Sequence, residues 1–565
     1  MTNISSTLRV STCLSACALA TSLLLAGCGG GGSASGSPTV GIAGTGTTNP
    51  ETPPIAASGP VTTLSVAPGA AASEAANEAV LGVSVLANAG GATSAATSGK
   101  LRPASAAACT VGNFGTFLRP FSPDSPWNSR PVGPVLGTAT IPTSTYYPSV
   151  DSGTWSSAAF EASETDAPMV VTGVNAQGVW DPDSEIYRPS ITIPHWPANT
   201  QPATGNDGHA EIVDAAAGVV HSFWGLKQVN GAWVTVQYAW TPLSGRGVGD
   251  PSHYYQGSRA AGVSTLGGLV RIHEVNDGAV MYNHALAMSL DFNGLSNSPT
   301  YRFPATSADS NAATANSGQI PMGSLLMLPS TFDAQALATP ELRKIAETLK
   351  KYGAYVVDRN NGTPFVIYVE IGADFKLHKN GWSNSTANDL DAIRAALRPL
   401  ESAAWWVDGN NKNTSTVTST AMNLLSMRGA WWRTKGTVSG EFDTWRQALV
   451  FPATTTLIEQ ANATGRAVNP VTWATPATGD SFRLSVAGTG GATFRMTIAD
   501  RATGATVYDS GYLADGQSVT FAWPAVTGFK VTTWGRSGID GVESTLRPTL
   551  VKTGAGVATA SACAS

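Results

Sequence analysis

The sequence predicts a mainly β protein: a β-sandwich or jelly-roll core with a few helices, followed by a second, small β-sandwich at the C-terminus. Three observations predict it. Gly 60 and Pro 34 supply turns throughout a chain rich in Thr, Ser and Val, the residues of short strands and tight connections. Apolar runs of strand length, alternating or continuous, recur from residue 168 onward. Within the globular region only two segments carry a helical stripe.

At the N-terminus, Arg9 precedes an apolar stretch, 14–26, that is too short for a permanent membrane span and ends in Leu25-Ala26-Gly27-Cys28. This segment resembles a bacterial lipoprotein signal peptide, in which small residues before a cysteine are the cleavage signal. The resemblance implies removal of residues 1–27 and a lipid on Cys28, so that the partner is a membrane reached through that lipid. Gly29 follows where Asp would signal inner-membrane retention. The implied location is therefore outside the cytoplasm, on the outer membrane of a Gram-negative bacterium. No other apolar run reaches the roughly 18 residues of a spanning helix.

Residues 28–107 read as a flexible tether. From Gly29 to Ala107 there is no Phe, Trp or Tyr, and Gly, Ala, Ser, Thr and Pro dominate, so no core can form. As a coil such a segment spans about 50 Å; 73–87 could form a short helix. Cys13 and Cys17 leave with the signal, and the remaining pair, Cys109 and Cys563, bracket the globule. In an oxidising compartment they are expected to form a disulfide tying its ends together.

The globule begins near Cys109, and all sixteen Trp fall between Trp127 and Trp534. A core domain is expected over 108–465 and a C-terminal sandwich over 466–565. Strands are expected at 168–174, 209–214, 219–227, 232–240, 268–275, 279–292, 324–328, 354–358 and 365–371. One helix starts at Thr339 as N-cap with Pro340 next, places Leu342, Ile345, Ala346 and Leu349 on one face, and stops at Gly353. A second spans 387–397 with Leu390, Ile393 and Leu397 as its stripe. After a Trp-rich stretch, strands at 481–486, 493–500, 506–512, 518–523 and 528–534 resemble a small Ig-like or carbohydrate-binding-module sandwich.

Composition and motifs exclude several functions. Lys+Arg 33 against Asp+Glu 38 gives a net charge of −5, with no basic field to collect nucleic acid. Walker loop, His-Glu-x-x-His, Cys-x-x-Cys and Gly-x-Ser-x-Gly signatures are absent. Gly479-Asp480-Ser481 matches an esterase start but has no His downstream. No cofactor is implied, and the chain is expected to be a monomer.

Five of the seven His lie between His209 and His284. A period of two puts His209 and Glu211 on one face of their strand, Arg271 and His273 on one face of theirs, and Tyr282 and His284 on one face of a third. With Trp224, Trp233, Tyr238 and Trp240, these would line a sheet face for an extended sugar chain. Aromatic faces stack on pyranose rings, Arg neutralises a uronate, and His, Tyr or Glu moves a proton. Metal ligation by His209, Glu211 and His221, or by His273 and His284, is a weaker reading. So is a carboxylate pair drawn from Glu211, Asp214, Glu274 and Asp358. Ser122 to Asn128 is read as covering a sheet edge, Asp358 as a turn residue, and the Trp405/Trp406 and Trp431/Trp432 pairs as core or as a sugar platform.

The matches from Ser122-Pro123-Asp124-Ser125-Pro126-Trp127-Asn128 through His209-Ala210-Glu211-Ile212-Val213-Asp214, Gly268-Leu269-Val270-Arg271, His284-Ala285-Leu286 and Tyr352-Gly353 to Asp358 resemble a group of uncharacterised secreted bacterial proteins. This implies secretion and a shared β core but no mechanism. The function expected is action on polysaccharide at the cell surface. A lyase would use Arg271 on the uronate, His284 or His209 as base toward C5–H, and Tyr282 as donor to the leaving oxygen. The alternatives are a non-catalytic glycan-binding or adhesion protein and a metal-dependent or carboxylate-based glycoside hydrolase.

Overall fold

A computed structural model describes residues 113–553 except 152, 250–252, 254, 415–422, 426, 428–429 and 463–473. Cys28, Cys109 and Cys563, and with them the expected lipid and disulfide, lie outside the described residues, as does the expected helix at 73–87. The fold is mainly β, built from several sheets and few helices.

A six-stranded sheet occupies the middle of the core. Its order is Ala158–Ala162, Ala210–Asp214, Val219–Trp224, Gln237–Pro242, Val179–Asp181 and Ile186–Arg188. One face packs against a four-stranded sheet of Lys227–Val229, Ala232–Thr235, Met169–Gly173 and Ser190–Ile193. Val171, Ile191, Ile193, Ile212, Phe223, Trp233, Tyr238 and Trp240 fill the layer between them. The other face contributes Val213 and Val220 to the largest apolar cluster. There it meets a seven-stranded sheet ordered Val135–Leu136, Arg398–Ser402, Leu325–Met327, Ala354–Asn360, Leu286–Asp291, Phe365–Tyr368 and Ser149–Asp151. Because both faces are covered, Ala210–Asp214 is buried at every position, and its polar side chains face protein rather than water.

The two expected helices form for the expected reasons. Pro340–Lys351 is capped by the Thr339 hydroxyl, which accepts from the Leu342 amide at 3.2 Å, and Leu342, Ile345, Ala346 and Leu349 are buried. It ends before Gly353, at φ +76, where a Cβ would lie 2.8 Å from the Leu326 carbonyl oxygen. The second helix, Asn384–Ala396, starts three residues earlier than expected because the Ser383 hydroxyl accepts from the Thr386 amide and caps the first turn. Among the described residues no helix is long and apolar enough to cross a membrane.

Two expected strands are corrected. Of 268–275, Val270 alone makes a bridge, to Val369, and Ile272–Glu274 is a short 3-10 turn. The Glu274 carboxylate folds back to accept from the Arg271 amide at 3.0 Å, which satisfies locally a donor that a sheet would otherwise take. Of 279–292 only Leu286–Asp291 is a strand, so Tyr282 and His284 lie in the loop before it.

The C-terminal sandwich consists of two five-stranded sheets over a core that includes Phe451, Phe482, Phe494, Trp523 and Leu546. One sheet is ordered Trp432–Lys435, Glu459–Asn462, Phe529–Arg536, Thr493–Asp500 and Thr506–Asp509. The other is ordered Glu441–Asp443, Ala448–Phe451, Ser544–Thr553, Ser481–Thr489 and Ser518–Ala522. The four strands between 432 and 462, assigned from the sequence to the core domain, thus pair with those of the C-terminal part.

Candidate functional site

The residues singled out from the sequence fall in three places, none of them a single sheet face. Glu211 and Ser222 are register partners on the face of the six-stranded sheet turned toward the largest apolar cluster. The Ser222 hydroxyl donates to one carboxylate oxygen, and the Thr265 amide and hydroxyl donate to the other at 3.1 Å each. Thr265 Oγ1 lies 2.9 Å from Ser157 Oγ, which accepts from Arg259 Nη2 at 2.9 Å. Arg259 Nη1 in turn reaches Asp358 at 2.9 Å, and the guanidinium lies 4.3 Å from the Tyr368 ring centre.

His209 sits beside this chain, with Nδ1 3.4 Å from Ser258 Oγ. Burial pushes Glu211 up, drives His209 well down, and raises Asp358 to about 7 against the attraction of Arg259. Every member is at most 3% exposed. Such a chain ties two sheets together; it offers no surface to a polymer. Asp358 is therefore a cross-tie rather than a turn former, and its partner Arg259 was not legible as such.

Arg271, Tyr282 and His284 do converge, at a second place. Arg271 Nε donates to Glu370 at 2.8 Å and Nη1 to the Phe117 carbonyl at 2.7 Å. His284 donates from both ring nitrogens, to Glu274 at 3.1 Å and to the Ala285 carbonyl at 2.9 Å. Burial would lower its pKa, but the Glu274 charge and these bonds raise it. Glu274 is correspondingly held at about 2, its own burial being outweighed by His284 and the Arg271 amide.

Tyr282 is 2% exposed, its amide donates to Thr348 Oγ1 at 2.8 Å, and Lys344 Nζ stands 4.5 Å from its ring centre. His273 points outward. The chemistry differs from the lyase roles expected. The Arg271 charge is met by Glu370, both ring nitrogens of His284 are engaged by acceptors, and burial raises the Tyr282 hydroxyl above its ordinary value.

At the third place, Trp233, Tyr238 and Trp240 are not a sugar platform, being at most 8% exposed in the layer between sheets. Trp240 stacks on Trp445 of the C-terminal sandwich, with ring centres 5.3 Å apart and 14° between planes. His221 shares this layer, 2.8 Å from the Tyr238 hydroxyl, so it cannot join His209 and Glu211 around a metal. Trp224 lies on the opposite face and donates to Asp207 at 3.1 Å. Among the described residues no three His, Cys, Asp or Glu side chains converge as metal ligands.

The outward face of the Trp432–Lys435 sheet is a fourth place, and the sequence reading touched it only through Trp432. Register sets Trp432 opposite Ala461, Ala461 opposite Trp534, and Trp534 opposite Arg495. Opposed residues share a face, so the four form a row across four strands. The inward positions Phe494, Met496 and Val531 fill the core, which is why their alternates face out. Trp432 is 62% exposed, and the two Trp are separated by two strand spacings, about 10 Å.

Charges beside the row are fixed. Arg495 grips Asp509 through two bonds of 2.9 and 2.6 Å and stands 5.0 Å from the Trp534 ring centre. Glu459 accepts from the Tyr512 hydroxyl at 2.8 Å and from Arg536 Nε at 2.6 Å, with Lys435 at 3.7 Å. Burial works to raise Glu459, but the Tyr512, Arg536 and Thr434 donors hold it at about 2. The signal was present in 529–536, where Trp534 and Arg536 alternate with apolar Val531 and so place an aromatic on a polar face.

No protein-family profile matches the chain, and no curated protein matches it. Among solved structures, that of accessory secretory protein 1,2 and 3 in Streptococcus pneumoniae is 11% identical, covering 19% of this chain and 86% of that one, with a TM-score of 0.13. A CBM4 structure is 19% identical, covering 22% of this chain and 94% of that one, with a TM-score of 0.14. A carbohydrate binding module of family 29 is 9% identical, covering 23% and 84%, with a TM-score of 0.15. At such TM-scores the likeness adds nothing to what the strand pairing itself shows.

Proposed function

We propose that the chain is an exported glycan-binding protein whose binding surface is the outward face of the Trp432–Lys435 sheet. The observation that carries this reading is the row Trp432, Ala461, Trp534 and Arg495. Two indoles flanking Ala461, itself only 6% exposed, accept the C–H faces of two sugar rings of one chain. Lys435, Arg495 and Arg536 stand beside them against the carboxylates of Glu459 and Asp509. Their remaining N–H donors suit carboxylates and hydroxyls, so the surface favours an acidic polysaccharide. Because Asp509 and Glu459 already hold the guanidinium groups in place, little side-chain freedom is lost on binding.

Binding is favoured over elimination because the groups expected to perform the lyase steps are committed elsewhere: Arg271 to Glu370 and His284 to Glu274. The test is affinity electrophoresis of the full chain in gels cast with alginate, polygalacturonate, xylan or no polymer. Retardation by an acidic polymer that Trp534→Ala removes supports the reading. Equal mobility in every gel overturns it.

The same proposal includes tethering through a lipid on Cys28, with residues 28–107 as spacer. Cys28→Ser would then move the protein from the membrane to the soluble fraction of producing cells. Unchanged membrane association would contradict the tether without touching the binding face.

A further inference from the structure

A second group of exposed aromatic rings lies on the core, away from the row just described in sequence and in sheet. Trp382 is 63% exposed, Tyr146 65% and Tyr147 48%. Trp382 and Tyr147 are brought together by the loop that leads into the edge strand Ser149–Asp151 and by the turn that precedes the helix Asn384–Ala396, and Tyr146 precedes Tyr147 in that loop. Exposed apolar rings that adjoin one another mark an interaction surface, whereas rings scattered singly do not.

Trp382 is held in place. Trp382 Nε1 donates to Asn384 Oδ1 at 2.7 Å, and the indole stacks on His378 with centres 4.6 Å apart and 13° between planes. His378 is itself fixed, because Nδ1 accepts from the Ser383 amide at 3.0 Å at the cap of the helix. Tyr147 stands 5.6 Å from Trp382 at 56° between planes. The Tyr146 amide donates to the Gly362 carbonyl at 2.8 Å, and a Cβ at Gly362, where φ is +82, would lie 3.1 Å from the Tyr146 ring.

We infer that Trp382 and Tyr147 form a second saccharide-binding site, one that takes neutral pyranose chains. His378 backs one face of the indole, and the exposed remainder adjoins Tyr147. The indole N–H is already satisfied by Asn384, so a ligand need only supply C–H surface to the ring. Beside the patch the Lys379 ammonium is bound to Glu341 at 2.6 Å. That pair is neutral as a whole, whereas beside the sandwich rings Lys435, Arg495 and Arg536 outnumber Glu459 and Asp509, and this is why a neutral rather than an acidic chain fits here. Rigid rings give contact area at small entropic cost.

The inference shares its general ligand class with the proposed function but none of its residues, so the two can fail separately. The test is calorimetric titration of the full chain with cellohexaose, xylohexaose and mannohexaose, set beside Trp382→Ala, Tyr147→Ala and Trp432→Ala. The expected result is binding of at least one hexasaccharide that Trp382→Ala and Tyr147→Ala each weaken about tenfold or more and Trp432→Ala leaves unchanged. A thermal melt of Trp382→Ala should match the parent, since the ring is mostly in solvent. Absence of binding by the parent, or binding that Trp382→Ala leaves intact, overturns the inference. Loss in Trp432→Ala alone assigns neutral sugars to the sandwich face and overturns it as well.

Discussion

Trp432 and Trp534 stand on either side of Ala461, in register across three antiparallel strands of the C-terminal sandwich. The arrangement follows from alternation. Phe494, Met496 and Val531 turn inward to fill the core, and their neighbours are thereby presented outward with a spacing set by the sheet rather than by flexible side chains. Trp432 is 62% exposed, and Trp534 is partly buried with the Arg495 guanidinium 5.0 Å from its ring centre.

The charges beside the row set its preference. In Arg495→Ala the clamp to Asp509 is lost and Asp509 is left to repel an anionic chain, so affinity for hexagalacturonate should fall about tenfold or more. The residual binding should also be less sensitive to salt, because one screened attraction has been removed. Titrations at low and high ionic strength check both statements.

Glu274 and His284 make stability depend on pH in two directions. His284 is raised above 6.5, so its contribution is complete below that value and is lost as pH rises through the raised one. Glu274 is lowered from 4.5 to about 2, so its contribution is complete above 4.5 and is lost as pH falls toward 2. The stability gap between the parent and Glu274→Gln should therefore be widest between pH 4.5 and 6.5 and narrow on both sides. Urea midpoints across the range measure it.

Removing Arg259 leaves Asp358 buried among Asp309 and Asp207 without its cation. Arg259→Leu should cost about 3–5 kcal/mol in urea unfolding. Asp358→Asn should be milder, because burial already raises this carboxyl to about 7. The parent should lose stability relative to Asp358→Asn as pH rises from 3.8 to about 7, since the fold favours the protonated acid.

Trp445 of the sandwich lies between core rings, stacked on Trp240 and 6.0 Å from Tyr238. Trp445→Ala should destabilise the fold by roughly 2–4 kcal/mol, through loss of ring contacts and the gap that remains. Near-ultraviolet circular dichroism should lose intensity at the same time, because the coupled Trp240 environment is removed.

What the sequence made legible were the elements whose signals are local. Thr339, Pro340 and Gly353 mark the ends of a helix by their own chemistry, and the alternation in 209–214 places Glu211 opposite in sense to Ile212 as the structure has it. The single catalytic face expected from His209, Arg271 and Tyr282 depended on which strands neighbour which. That is decided by contacts such as Arg259 with Asp358, 99 residues apart, which leave no periodic trace. Strand character at 271–274 and 282–284 was read from alternation alone, whereas the Glu274 carboxylate caps the Arg271 amide and ends the extended run. Burial on both faces of Ala210–Asp214 was likewise hidden, because a polar strand face meeting a second layer looks in sequence like one meeting water.

The most direct measurement of the central claim is calorimetric titration of hexagalacturonate into the full chain and into a Trp432→Ala/Trp534→Ala variant with unchanged melting. Binding by the parent, with affinity reduced tenfold or more in the variant, about 1.4 kcal/mol or greater, is the result predicted. Equal affinity in both proteins would contradict the assignment of the sandwich face as the glycan-binding surface.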